Sequence, residues 1–84
     1  MKNKILVDVF VPYVNQVYNV FIPVNKTVGE VITLLNKTIN ELTEERFPIS
    51  NHLSLMNMVT SEIYSFEYTV KDNKIPNGSK LVLI

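Results

Sequence analysis

One stretch of this chain has helical periodicity, and alternating β-rich segments flank it on both sides. Val28, Val31, Ile32, Leu35, Ile39 and Leu42 recur at helical spacing and make one apolar stripe. Thr27-Val28-Gly29-Glu30 has the spacing of a capping box, with Thr27 as N-cap and Glu30 reaching back to its amide. Asn36, Lys37, Asn40, Glu41 and Glu44 fall mostly on the opposite, solvent side. Phe47-Pro48 is expected to close the helix, because the residue before a proline avoids the α region. No helix of comparable length follows, so strands must bury the rest of the core.

Residues 4–12 alternate, with Ile5, Val7, Val9 and Val11 on one face and Leu6, Asp8 and Phe10 on the other. Tyr13-Val14-Asn15-Gln16 supplies a connection of hairpin length. Residues 17–24 form a second run, with Tyr18, Val20 and Ile22 opposite Val17, Asn19 and Phe21, and Pro23 ends the ladder by removing a donor. A third strand is expected over 53–59, with Leu53 and Leu55 inward. A short fourth is expected near Tyr64–Tyr68, in a Ser/Glu/Tyr-rich stretch. The last strand, 80–84, places Leu81 and Leu83 inward and Val82 and Ile84 outward. A hairpin, one helix across its face and further strands define an α+β arrangement. The expected architecture is a mixed sheet of four to five strands packed on one α-helix.

At 84 residues and 46% hydrophobic content the chain is read as one domain, 1–84, with enough apolar side chains for a core. Eight basic residues balance eight acidic ones, which leaves no electrostatic footprint for nucleic acid or an anionic membrane surface. With no Cys, disulfides, Fe–S clusters and thiolate zinc sites are excluded. The N-terminus lacks a signal-peptide h-region, and no stretch approaches the ~20 apolar residues of a membrane span. A cytoplasmic location without membrane insertion is the expectation. Three sequons, beginning at Asn25, Asn36 and Asn77, are read as chance in an Asn-rich chain.

The closing segment is the most specific. Thr69-Val70-Lys71-Asp72-Asn73-Lys74-Ile75 resembles the Thr-Leu-Ser-Asp-Tyr-x-Ile segment of the ubiquitin superfamily, and Lys80-Leu81-Val82-Leu83-Ile84 resembles its closing strand. Thr27-Val28 with Val31-Ile32 is similar to the start of the ubiquitin helix. The resemblance implies a ubiquitin-like β-grasp, with the first and last strands parallel in the middle of the sheet. Within that superfamily the chain looks most like the YukD-like proteins of Gram-positive type VII (WXG100) secretion systems. The similarity lies in Lys71 to Leu81, with Lys74 where that family often has Gly and Ser79 where it often has Asp. The Asn-, Ile- and Lys-rich composition fits a low-GC bacterium. Gly78 is expected at positive φ in the turn before the last strand.

No catalytic constellation is legible. Ubiquitin-like conjugation and sulfur transfer need a flexible C-terminal Gly-Gly, whereas this chain reads Leu83-Ile84 within a strand. His52, the only His, sits in an expected loop. Glu41, Glu44 and Glu45 oppose the helix dipole and are read as a solvated acidic face, partly offset by Arg46. No catalytic, cofactor or metal residue is therefore assigned.

The outward sheet face is the candidate site. In β-grasp order it carries Leu6, Phe10, Phe21, Val82 and Ile84, with Met56 beside them. A face left to water should be polar at alternate positions, and a contiguous apolar patch marks an interaction surface. The corresponding face of ubiquitin is its main docking surface. A register slip of one residue would swap the faces. Tyr13, Tyr64 and Tyr68 are read either as partner contacts or as caps on the core. The reading is a non-enzymatic protein-binding adaptor whose partner is a cytoplasmic domain of a secretion-complex membrane protein. The alternatives are a C-terminally activated carrier and a homo-oligomeric structural module.

Overall fold

The computed structural model describes residues 3–84. β1 (Lys4–Val11) and β2 (Gln16–Pro23) form an antiparallel hairpin in unbroken register, from Lys4 opposite Pro23 to Val11 opposite Gln16. A single 3-10 turn over Pro12–Val14 joins them, and Asn15 brings the chain round in the left-handed conformation at φ 52°. Asn visits that region more readily than most residues. Helix α1 (Val28–Leu42), β3 (Leu55–Asn57) and β4 (Lys80–Leu83) follow. The sheet order is β2-β1-β4-β3, with β4 parallel to β1 and antiparallel to β3. This is the expected α+β arrangement, with four strands. The expected register holds: Val7, Val9, Val11, Ile22, Leu55, Leu81 and Leu83 are buried with Val28, Val31, Ile32, Leu35 and Ile39 of α1 in one cluster.

The start of α1 is locked. The Glu30 amide donates to Thr27 Oγ1 at 3.1 Å, and Glu30 Oε1 accepts from the Thr27 amide at 3.0 Å. The next orphan donors go to a distant loop: Val28 N–H to the Tyr68 carbonyl and Gly29 N–H to the Phe66 carbonyl, both at 2.9 Å. A Cβ on Gly29 would stand 3.1 Å from that Phe66 oxygen, which explains the glycine.

The end of α1 corrects the sequence reading. The helix stops at Leu42, well before Phe47-Pro48. Thr43 Oγ1 donates to the Ile39 carbonyl at 2.7 Å and accepts from the Phe47 amide at 3.1 Å, and Glu44 and Glu45 both take positive φ. A side chain competing for backbone partners ends the helix here. Leu42, placed in the apolar stripe, is the last residue of the helix and is 64% exposed. Asn36, assigned to the solvent side, is instead buried. Its Nδ2 donates to the Pro48 carbonyl at 2.9 Å and its Oδ1 accepts from the Ser50 amide at 2.8 Å. Asn40 Nδ2 likewise donates to the Phe47 carbonyl at 2.9 Å. The two amides tie the loop after α1 back onto the helix.

The strand expected near Tyr64–Tyr68 does not form, and the third strand is reduced from 53–59 to Leu55–Asn57. Ile63 makes an isolated antiparallel bridge to Met56. Beyond it the chain turns under the control of Asn73, whose Oδ1 accepts from the Ser65 amide at 2.9 Å and whose Nδ2 donates to the Ser65 and Thr69 carbonyls. Tyr64 is buried and its hydroxyl accepts from Asn57 Nδ2 at 3.1 Å. Tyr13 packs edge-on against Phe47 and Tyr68 is exposed, so of the three tyrosines only Tyr64 joins the core.

β4 is held by the turn before it. Asn77 Oδ1 accepts from the Leu6 amide at 2.8 Å, and the Gly78 amide donates to the Leu6 carbonyl at 2.7 Å. Gly78 has φ 85°, the conformation the sequence implied. Lys74 also sits at positive φ, 59°. A non-glycine residue pays strain in that conformation.

Two outcomes follow. Lys74→Gly should raise unfolding stability by about 0.5–1 kcal/mol, strain relief outweighing the added unfolded-state entropy; urea denaturation measures it, and a loss of stability would contradict the strain account. Glu30 has its pKa lowered, chiefly by the Thr27 amide and then by the Thr27 hydroxyl. A carboxyl with a lowered folded pKa binds more protons unfolded. Its contribution is therefore complete above the ordinary carboxylate value and disappears as pH falls through the lowered one. Glu30→Ala should flatten the acid limb of the stability–pH curve in that window, and an unchanged limb would show that the cap does not titrate with folding.

Candidate protein-docking face

Register, rather than sequence, decides which outward side chains are neighbours. Val17 lies opposite Phe10, Phe10 opposite Val82, Val82 opposite Met56, and Met56 opposite Ile63. An apolar row therefore crosses the whole sheet. Ile84 lies on the same face, two residues beyond Val82, where its amide and carbonyl both bond to Ser54. The next row is polar: Asn19 is opposite Asp8, and Asp8 opposite Lys80. Asn19 Nδ2 donates to Asp8 Oδ1 at 2.8 Å, fixing the pair. Beyond that band, Leu6 and Phe21 lie opposite one another as a second apolar island.

The five residues singled out from the sequence thus share one face but do not form one patch. Phe10, Val82 and Ile84 belong to the long row, and the Asn19–Asp8–Lys80 band separates them from Leu6 and Phe21. Val82 needs a further correction. It is only 7% exposed, outside the main core cluster, between its register partners Phe10 and Met56. Leu6 and Phe10 are half-buried, while Phe21 (53%) and Ile84 (49%) are open to solvent. The accessible ends of the row are Val17 at 58% and Ile63 at 63%. Sequence reasoning missed both. Val17 was readable from the alternation of β2, whereas Ile63 joins the row only through its bridge to Met56.

Elsewhere the surface offers less. The groove between α1 and the loop after it, about 410 Å³ in one section, is lined by Gly29, Ile32, Thr33, His52, Leu53 and Phe66 among others. His52 is an exposed loop residue there, whose amide bonds to Ser50 Oγ. Among the described residues, no three His, Cys, Asp or Glu side chains gather where they could hold a metal ion, and no helix is long and apolar enough to cross a membrane.

No family model and no curated protein sequence matches this chain. Solved structures do. The ubiquitin-like domain of the Mycobacterium tuberculosis type VII secretion system protein EccD1 superposes with TM-score 0.71 at 12% identity, over 96% of this chain and 97% of that one. The fold is the ubiquitin-like β-grasp. Caldiarchaeum subterraneum ubiquitin matches with TM-score 0.68 at 14% identity, covering 96% and 91%. A structure described as molecular mimicry of SUMO in DNA repair matches with TM-score 0.70 at 16% identity, covering 98% and 91%. At such identities these likenesses define the architecture alone.

The burial contrast along the row has a direct consequence. Val82→Asp should destabilise the fold by about 3 kcal/mol, because it places a carboxylate in an apolar site. Ile63→Asp, at an exposed position, should stay within about 0.5 kcal/mol of the parent. Thermal and urea unfolding of both variants checks this, and equal losses would mean that Ile63 is part of the core.

Proposed function

We propose that this chain is a non-conjugating ubiquitin-like adaptor that uses its outward sheet face to bind a cytoplasmic domain of a type VII secretion-complex membrane protein. The observation that carries the reading is the apolar row Val17–Phe10–Val82–Met56–Ile63. A sheet face with no covering layer would ordinarily be polar at these alternating positions. The closing-segment resemblance to YukD-like proteins and the likeness to the EccD1 domain support the choice of partner. The adaptor acts in the cytoplasm, and no catalytic step is involved. Binding is driven by removing the row from water, at roughly 25 cal/mol per Å² of apolar area less the large cost of association. The centre, Val82, is already buried, and the exposed ends supply the contact.

Titration of the purified chain against purified cytoplasmic domains of type VII membrane proteins, read by calorimetry, tests this. One domain should bind, and Ile63→Asp or Ile84→Asp should weaken it by more than about tenfold, since a charge at an apolar contact is desolvated without a partner. If no domain binds, or if both variants bind as the parent does, the assignment fails.

A further inference from the structure

The two edges of the sheet are treated differently. The β3 edge is covered: the Tyr64 amide donates to the Leu55 carbonyl, and the Asn57 amide to the Glu62 carbonyl. The β2 edge has no strand beside it among the described residues. Which of its backbone groups face outward follows from the ladder. The Val24 amide donates to the Asn3 carbonyl, so these two form a bonded pair, and antiparallel ladders alternate. Gln16, Tyr18, Val20 and Ile22 therefore bond inward to β1, while Val17, Asn19 and Phe21 turn their amides and carbonyls to the open edge. The other side of β1 agrees: the Leu6 and Asp8 amides point toward the β4 side, bonding to Asn77 and Ser79.

This edge lacks the devices that normally protect one. Natural edge strands are short, bulged, charged or interrupted by proline. β2 is eight residues long and in unbroken register with β1. It contains no charged residue, and its only proline is the last residue.

We infer that β2 is the seam of a homodimer, in which the β2 strands of two copies pair antiparallel about a two-fold axis at Asn19 and make one continuous sheet. The strand is complementary to itself in that register. Val17 of each copy faces Phe21 of the other, and Asn19 faces Asn19, so each outward-pointing amide and carbonyl meets its counterpart. Both apolar cross-strand pairs join side chains that are more than half exposed in the single chain. No like charges meet at the seam, because the charged residues nearest it in the central row, Asp8 and Lys80, lie on β1 and β4. The pairing also completes the face. The row ending at Val17 in one copy runs on into Phe21 and Leu6 of the other, joining the two apolar islands that the Asn19–Asp8–Lys80 band separates within a chain. A second copy is thus the occupant that the edge fits, ahead of an unrelated strand. The inference does not rest on the adaptor reading, and its test needs no other protein.

The test combines solution mass with a crosslink, on the full chain. Sedimentation equilibrium should give twice the chain mass at high micromolar concentration. The double variant V17K/F21K sets ammonium groups opposite one another at both apolar pairs, which is destabilising across strands. It should be monomeric at the same concentration with an unchanged circular dichroism spectrum. The chain has no native Cys, so Asn19→Cys reports the axis cleanly. Directly bonded partners in an antiparallel ladder stand about 5.5 Å apart at Cα, within disulfide reach. Mild oxidation should link Asn19→Cys into a dimer and leave Lys37→Cys, on the exposed side of α1, unlinked. A chain monomeric at every concentration overturns the inference. So does a dimer that survives V17K/F21K, which would place the contact on the sheet face or elsewhere. Equal crosslinking of Asn19→Cys and Lys37→Cys would also overturn it.

Discussion

The parallel pairing of β4 with β1 is the contact on which the rest of the fold depends. β4 is the last strand in the chain yet lies between β1 and β3, so without it the β1–β2 hairpin has no connection to β3 within the sheet. The partners are far apart in sequence: Leu6 and Asn77 are separated by 71 positions. Closing so long a loop costs chain entropy before any contact repays it. The repayment is concentrated at one place. The Leu6 amide donates to Asn77 Oδ1 and the Leu6 carbonyl accepts from the Gly78 amide, and the Asp8 amide donates to the Ser79 carbonyl one step further on. Gly78 supplies the positive φ that aims these groups at β1. Leu81 and Leu83 then fall into the centre of the core, fully buried.

Asparagine does much of the remaining work. Long connections after α1 contain little regular structure, and their backbone groups need other partners. Asn36 and Asn40 hold the first connection to the helix, Asn57 organises the turn after β3, and Asn73 gathers the 65–69 turn. That turn in turn supplies the carbonyls that cap α1 at Val28 and Gly29. Asn36, Asn57 and Asn73 each both donate and accept, which lets one side chain imitate a strand partner for an irregular segment. Burying Asn36 to 2% exposure is tolerable only because both ends of its amide are bonded.

This division explains what the sequence made legible. Strand alternation and the helical stripe are periodic, and periodicity survives in a single sequence. The two faces of the hairpin, the capping box at Thr27 and the closing strand were therefore readable. The segment 47–68 was not, because its conformation is set by partners elsewhere in the chain. Nothing local to Ser65 announces that Asn73 will bond it, and nothing near Pro48 announces Asn36. The same asparagines, read as composition, pointed only to a low-GC source. The outward face was legible in part for the same reason. Alternation places Phe10 and Val82 on it, but only the register shows that Asp8, Asn19 and Lys80 cut it in two, and only the bridge to Met56 adds Ile63.

The row and the core are not independent surfaces, and that shapes what the face can do. β4 is inside the sheet, so its two sides serve different ends through the same four residues: Leu81 and Leu83 fill the core, while Val82 anchors the row between Phe10 and Met56. The centre of the row is already largely desolvated in the single chain, so a partner gains little there. Gains come from the ends, at Val17, Ile63 and Ile84, where apolar surface is still exposed. A partner that covered one end alone would leave most of that surface wet. The physical preference is for a ligand, or a second copy, that spans the sheet across its strands. The row runs perpendicular to the strand direction, and an extension at the β2 edge lengthens it along its own axis.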